Sequence, residues 1–231
     1  EKPIKLRQKD HRSRTGSRAS IGGALVVFAA IAASGFAGWF IRGEFEGQEE
    51  IGYHAELLRP WLAYDPNYYK RGKRDRNPDH KRVAFLVYQA YADGCDLNRV
   101  LDRAMDTSQV PPNLKRQTIL RLIENHEQAQ HYGLYTSRNL ELMFQGKSPY
   151  ATQGEHAGQE MHAEHIVPYA VVPEMDNLLM NLEWLPESVN SAKSDTITER
   201  AWKYAQRYHG VGILQVEDFL RVKDLYEKEK K

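Results

Sequence analysis

The residue pattern predicts an α+β chain, mostly α, in three parts: an N-terminal transmembrane helix, a helical subdomain, and a small core of strands and helix. Three observations carry this. Residues 20–41 hold twenty-two consecutive uncharged positions. From Tyr53 to about Phe144, apolar residues recur at helical spacing between proline and glycine breaks. In 162–195 a Glu-His pair and the β-branched Ile166-Val167 precede Pro168, and a helical run follows from about Asn190.

The chain has 231 residues, enough for one sizeable domain plus an appendage or for two small domains. Its formal net charge is +1, so there is no global basic signature. The distribution is more telling. Residues 1–18 hold seven Lys/Arg against Glu1 and Asp10, a local +5 that leaves −4 for 19–231. One cysteine, Cys95, excludes an intramolecular disulfide and reads as a small buried thiol. No internal repeat is visible.

The order of parts follows. Residues 1–19 form a basic segment on the cytoplasmic side. Residues 20–41 would rise about 33 Å as a helix, matching a hydrocarbon core of roughly 30 Å. A cleaved signal peptide is the alternative, but its apolar region is shorter, about 7–15 residues. Trp39 and Phe40 suit the far interface. Basic residues precede the span, and Glu44, Glu46, Glu49 and Glu50 follow it. The positive-inside rule therefore expects a single-pass membrane protein with a cytoplasmic N-terminus. Everything after about 43, the catalytic part included, is expected to be extracytoplasmic, periplasmic or extracellular. Ala30, Ser34 and Gly38 repeat every four residues, a face suited to pairing with a membrane protein partner or in a homodimer.

Residues 42–52 read as an acidic linker. The helical subdomain spans 53–145, with helices at 53–63, 79–93, 96–106 and 112–132; the last opens on Pro111-Pro112 and stops at Gly133. Between the first two lies a basic loop with Lys70, Arg71, Lys73, Arg74, Arg76, Lys81 and Arg82 against two aspartates, flanked by Tyr68 and Tyr69. A polyanion gains from such a loop by counterion release, and tyrosines stack on bases, so it is the expected nucleic-acid contact. A solvated loop is the plain alternative. Residues 146–231 form the last domain. It begins with a flexible lead through 160, contains a helix over Ser191–His209, and ends with an amphipathic helix over Ile213–Lys230.

The chemistry concentrates in Glu164-His165-Ile166-Val167-Pro168, then Asn181-Leu-Glu-Trp-Leu, then Asn190-Ser-Ala-Lys193-Ser-Asp195. Phosphodiester hydrolysis needs a base, a hard cation and a rigid holder. Histidine has the pKa for the base near neutrality. A carboxylate with an amide oxygen suits Mg²⁺, which keeps several waters; Mn²⁺ is the alternative ion. Neighbours on a strand face opposite ways, so Glu164 and His165 converge only where the segment curves or bulges.

In these positions the chain resembles the HNH, or ββα-metal (His-Me finger), endonucleases, in the subtype with asparagine in place of the last histidine. The resemblance covers about 155–208. It implies a small ββα-metal nuclease core, with His165 as general base, Glu164 and Asn190 as metal ligands, Asn181 as the loop tie that orients the histidine, and Lys193 near the phosphate. It also implies DNA, rather than RNA, as the usual substrate. Glutamate at 164 departs from the family's aspartate. A zinc hydrolase is the weaker alternative: His156, His162 and His165 lack the His-Glu-x-x-His arrangement, and Pro168 stops a helix. His156 and His162 read as surface histidines.

The chain is therefore expected to be a membrane-anchored, metal-dependent endonuclease, attached to the lipid bilayer through 20–41 and cutting incoming or phage DNA at the cell envelope. The competing expectation is a catalytically inactive membrane-anchored nucleic-acid-binding or scaffold protein.

Overall fold

The computed structural model describes residues 46–62, 77–106, 110–176 and 178–231. Five helices come first: α1 (Glu46–Leu62), α2 (Asn77–Ala92), α3 (Leu97–Asp106), α4 (Pro112–His131) and α5 (Ser137–Phe144). A two-stranded antiparallel hairpin follows, β1 (Met161–His165) and β2 (Leu182–Pro186). Helices α6 (Glu187–Lys193), α7 (Glu199–Gly210) and α8 (Val216–Glu229) complete the order.

Local chemistry sets most boundaries. Ile51, Ala55, Leu58 and Leu62 form one buried stripe, which draws α1 back into the stretch read as linker. Pro112 occupies the first turn of α4, where a missing N–H has no consequence. Thr136 caps α5 by accepting from Asn139 N at 3.3 Å, and Thr198 caps α7 by accepting from Ala201 N at 3.1 Å.

Strand alternation divides the hairpin into two faces. Met161, Ala163 and His165 pair with Pro186, Trp184 and Leu182 on the inner face; His162 and Glu164 pair with Leu185 and Glu183 on the outer face. The inner face is shared with the helical part. Trp184 and Met161 lie in a core with Phe85, Ala129, Leu134 and Met143. Leu182 joins Leu58, Val83 and Val87. Asn125 on α4 donates to the Leu182 carbonyl at 2.9 Å. A third core joins the loop residues Val167, Val171 and Val172 to Ala201, Ala205 and Tyr208 of α7.

Three expectations change. The helix expected over 191–209 is two helices. The chain turns at Ser194, which has φ 47, so Asn190 lies in α6 rather than at the opening of a long helix. The lead through 160 is tied down: Asn139 bonds both backbone groups of Tyr150 at 2.7 and 3.0 Å, and the Thr152 hydroxyl donates to the Gly133 carbonyl at 2.6 Å. The third correction concerns the membrane. Among the described residues no helix is long and apolar enough to cross one. Even α4, at 20 residues, carries Lys115, Arg116, Arg121, Glu124 and Glu127. The architecture with an N-terminal transmembrane helix is corrected to a mostly helical chain with one small hairpin among the described residues. The single-pass, extracytoplasmic placement is not supported and is dropped. The segment 20–41, on which both expectations rested, lies outside the described residues.

The basic loop falls largely outside them too: Lys70, Arg71, Lys73, Arg74 and Arg76 are not described. Lys81 and Arg82 lie in the second turn of α2 and make internal contacts. Lys81 donates to Ser148 Oγ at 2.9 Å; Arg82 donates to the Gln145 carbonyl at 3.3 Å and lies 5.2 Å over the Trp61 ring.

Candidate active site

The site forms where β1 ends, the loop returns to β2, and α6 crosses the hairpin. Asn181, fully buried, builds the loop. Its Oδ1 accepts from Val167 N at 2.9 Å. Its Nδ2 donates to the carbonyls of Val167 at 2.9 Å and Met175 at 3.3 Å. A side-chain amide can thus stand in for a strand partner after the ladder has ended, because it offers both a donor and an acceptor.

This loop carries the Asp176 carbonyl to 2.7 Å from His165 Nε2, with one Asp176 carboxylate oxygen 3.3 Å from the same nitrogen. A carbonyl only accepts, so Nε2 carries the hydrogen and Nδ1 holds the lone pair of the neutral ring. Nδ1 faces Glu164, with Oε1 at 3.6 Å. The Tyr169 ring is 5.7 Å away, centroid to centroid. Burial disfavours the imidazolium, but Glu164 and Asp176 outweigh it and hold His165 above its ordinary pKa.

Glu164 and His165 converge because β1 stops there. The Glu164 side chain curls past the strand end, and Oε1 accepts from the backbone N–H of His165 at 2.9 Å. Burial opposes its ionisation, yet the His165 ring and N–H, together with Lys193, outweigh that and hold the carboxyl below its ordinary value. Lys193 is buried. Its ammonium donates to the His165 carbonyl instead of standing open beside the site, and burial pushes its pKa down despite Glu164, Glu183 and Asp195.

Asn190 reaches the outer face of the hairpin, where its Nδ2 lies 3.0 Å from His162 Nδ1. His162 and Glu164 are two apart on that face, so α6 places Asn190 against the row to which Glu164 belongs. His162, expected at the surface, is half-buried under Asn190, and its alternation with Glu164 is the sequence signal for that. His156, expected at the surface, is half-buried and lies 3.3 Å from Glu155.

The donors present, the Glu164 carboxylate and the Asn190 amide oxygen, fit a hard divalent ion. Glu164 is held ionised, and both supply oxygen. Among the described residues no three His, Cys, Asp or Glu side chains gather to hold an ion. An ion here would draw its remaining ligands from water and substrate, as Mg²⁺ characteristically does.

Beyond Glu183 the outer face meets an open cavity of about 450 Å³ between α4 and α7, lined by Arg121, Glu124, Tyr132, Arg200 and Tyr204. Its cations are paired. Arg200 Nε lies 2.6 Å from buried Glu183, and Arg121 lies 2.9 Å from Glu124 and donates to Tyr204 at 2.8 Å. This network clamps α7 to α4 behind the hairpin.

Compared with protein-family models, with curated proteins and with solved structures, the chain finds no match.

Proposed function

We propose that this chain is a metal-dependent endonuclease that hydrolyses phosphodiester bonds, with DNA as the substrate. The observation that carries the reading is the His165 ring. One nitrogen is fixed as a donor to Asp176, and the other presents a lone pair beside an ionised glutamate. The hairpin followed by α6 supports the reading, as does the resemblance of 164–195 to the HNH endonucleases.

In this scheme His165 Nδ1 takes a proton from a water molecule. The water oxygen forms a bond to phosphorus as the bond to the 3′ oxygen breaks, and that oxygen leaves with a proton from solvent. The products are a 5′-phosphate and a 3′-hydroxyl. Glu164 and Asn190 would hold a Mg²⁺ ion. When bound, the ion offsets the charge that develops on the phosphate and the leaving oxygen. Asn181 keeps the Asp176 carbonyl against Nε2, so the ring holds one tautomer. Lys193 anchors the His165 backbone and adds positive charge beside Glu164.

The test is cleavage of duplex DNA, single-stranded DNA and RNA by the full chain with Mg²⁺, with Mn²⁺ and with a chelator. Metal-dependent cleavage is expected, and His165→Ala should lower its rate by about 10²–10⁴. No cleavage by the wild type with either ion, or unchanged cleavage by His165→Ala, would sink the proposal. Cleavage of RNA alone would correct the substrate.

A further inference from the structure

The outer face of β1, with the residue before it, carries a row of which the endonuclease scheme uses only Glu164. Glu160, His162 and Glu164 alternate along one side of the chain, and α6 lies across them. One nitrogen of His162 is hydrogen-bonded, and the other faces a carboxylate without bonding to it. Nε2 is 3.8 Å from Glu160 Oε1, and Nδ1 is 3.0 Å from Asn190 Nδ2. Among the described residues His162 is the one side chain hydrogen-bonded to the Asn190 amide nitrogen, and it bears on the orientation of that amide.

The order of donors and acceptors follows from charge. Glu160 is a carboxylate and favours the tautomer with hydrogen on Nε2. Nδ1 is then an acceptor and takes a hydrogen from the Asn190 amide nitrogen. The reverse arrangement, with Nδ1–H donating to the Asn190 oxygen, would turn the Nε2 lone pair toward the Glu160 carboxylate. An amide nearly superimposes on itself when its oxygen and nitrogen exchange, so packing alone does not select an orientation. The cost of the wrong one is high at a cation: an NH₂ group would face the ion where an oxygen is needed.

We propose that His162 is a positioning residue for Asn190: backed by Glu160, it holds the Asn190 amide so that the carbonyl oxygen faces the ion shared with Glu164. This rests on the metal-dependent reading above. The nitrogen that faces α6 is taken by Asn190, so the residue acts through Asn190. The arrangement has the logic by which an outer partner orients a metal ligand, but here the ligand is an amide.

The test compares His162→Phe, which keeps a flat ring and loses the acceptor, with His162→Asn, whose side-chain oxygen can occupy the place of Nδ1. Mn²⁺ binding to the full chain is titrated by electron paramagnetic resonance without nucleic acid, and folding is checked by thermal melting. His162→Phe should weaken Mn²⁺ binding by roughly 10–100-fold, the range for loss of such a partner. His162→Asn should stay within a few-fold of wild type. In cleavage assays, His162→Phe should raise the half-saturating metal concentration and recover most of its kcat at saturating metal. Wild-type Mn²⁺ affinity in His162→Phe, or equal loss in both variants, would overturn the assignment. Wild-type protein that binds no Mn²⁺ would overturn it too. Mn²⁺ binding that Asn190→Ala abolishes, without cleavage of any nucleic acid, would leave the assignment standing and remove the nuclease reading alone.

Discussion

Asn181 shows how much one side chain can hold. Three hydrogen bonds tie it to Val167 and Met175, and it is fully buried. Asn181→Ala would orphan the buried Val167 N–H and the Val167 carbonyl, each unsatisfied group costing about 1–3 kcal/mol, while the Met175 carbonyl keeps the Leu178 N–H. We expect a loss of at least 2 kcal/mol or so by urea unfolding, together with a larger loss of cleavage as Asp176 drifts from His165. His80 gives a pH prediction. It is buried against Trp184, with ring centroids 4.7 Å apart, and its Nε2 pairs with Asn125 at 2.9 Å. Burial, with help from Arg121 and Lys81, lowers its pKa to about 3. The unfolded chain takes up a proton near 6.5 that the folded chain refuses, so this contribution is present above pH 6.5 and falls as pH drops toward 3. Between pH 7 and pH 5 the difference amounts to about 2 kcal/mol. Urea midpoints at both values should show His80→Phe losing less stability on acidification than the wild type; equal losses would remove His80 as the source.

At the scale of elements, the turn between α6 and α7 matters most. Ser194 takes φ 47 with ψ −137, a backbone region unfavourable to side chains and open to glycine. The turn lets Lys193 reach the His165 carbonyl while α7 starts afresh at Thr198. Strain of about 1–3 kcal/mol is expected for a residue so placed. Ser194→Gly should therefore equal or exceed wild-type stability, and Ser194→Val should fall below it by about 1 kcal/mol or more. Urea midpoints decide the order, and a Val variant as stable as Gly would show that the turn opens without loss. Gly133 is the counterpart before the hairpin. It has φ 64, and a Cβ there would lie 2.4 Å from Thr152 Oγ1. This close approach is what seats the 150–160 segment against α4.

At the scale of the molecule, the described residues belong to one unit spanning 44–231. The hairpin has no core of its own. Trp184 and Met161 bury against α2, α4 and α5, and Leu182 against α1 and α2. A fragment of residues 146–231 would expose Trp184, Met161 and Leu182, at about 1.5–3 kcal/mol for each large side chain. It should lack dispersed amide signals and near-ultraviolet circular dichroism, whereas residues 44–231 should show both. A folded, active 146–231 fragment would mean that the helices are an accessory rather than part of the site's support.

Much of this was legible in residue order because the groups lie close along the chain. Glu164, His165, Asn181 and Asn190 fall within twenty-seven positions, and one hairpin with the helix that follows it carries all four. The helices from 79 to 132 were readable for the same reason, since their apolar period is local. What escaped the sequence depends on neighbours far along the chain. The start of α1 inside the acidic stretch follows from Ile51 meeting a core completed by α3 and Leu182. The inward turn of Lys193 follows from a carbonyl twenty-eight residues earlier. The same separation divides His162 from Asn190, so residue types could mark His162 as a histidine near the site without revealing what it holds. Periodicity records which face of an element is apolar. Which surface covers that face, and which polar atoms are left to find partners there, is set by packing between elements, and the placement of the site's supporting groups follows from it.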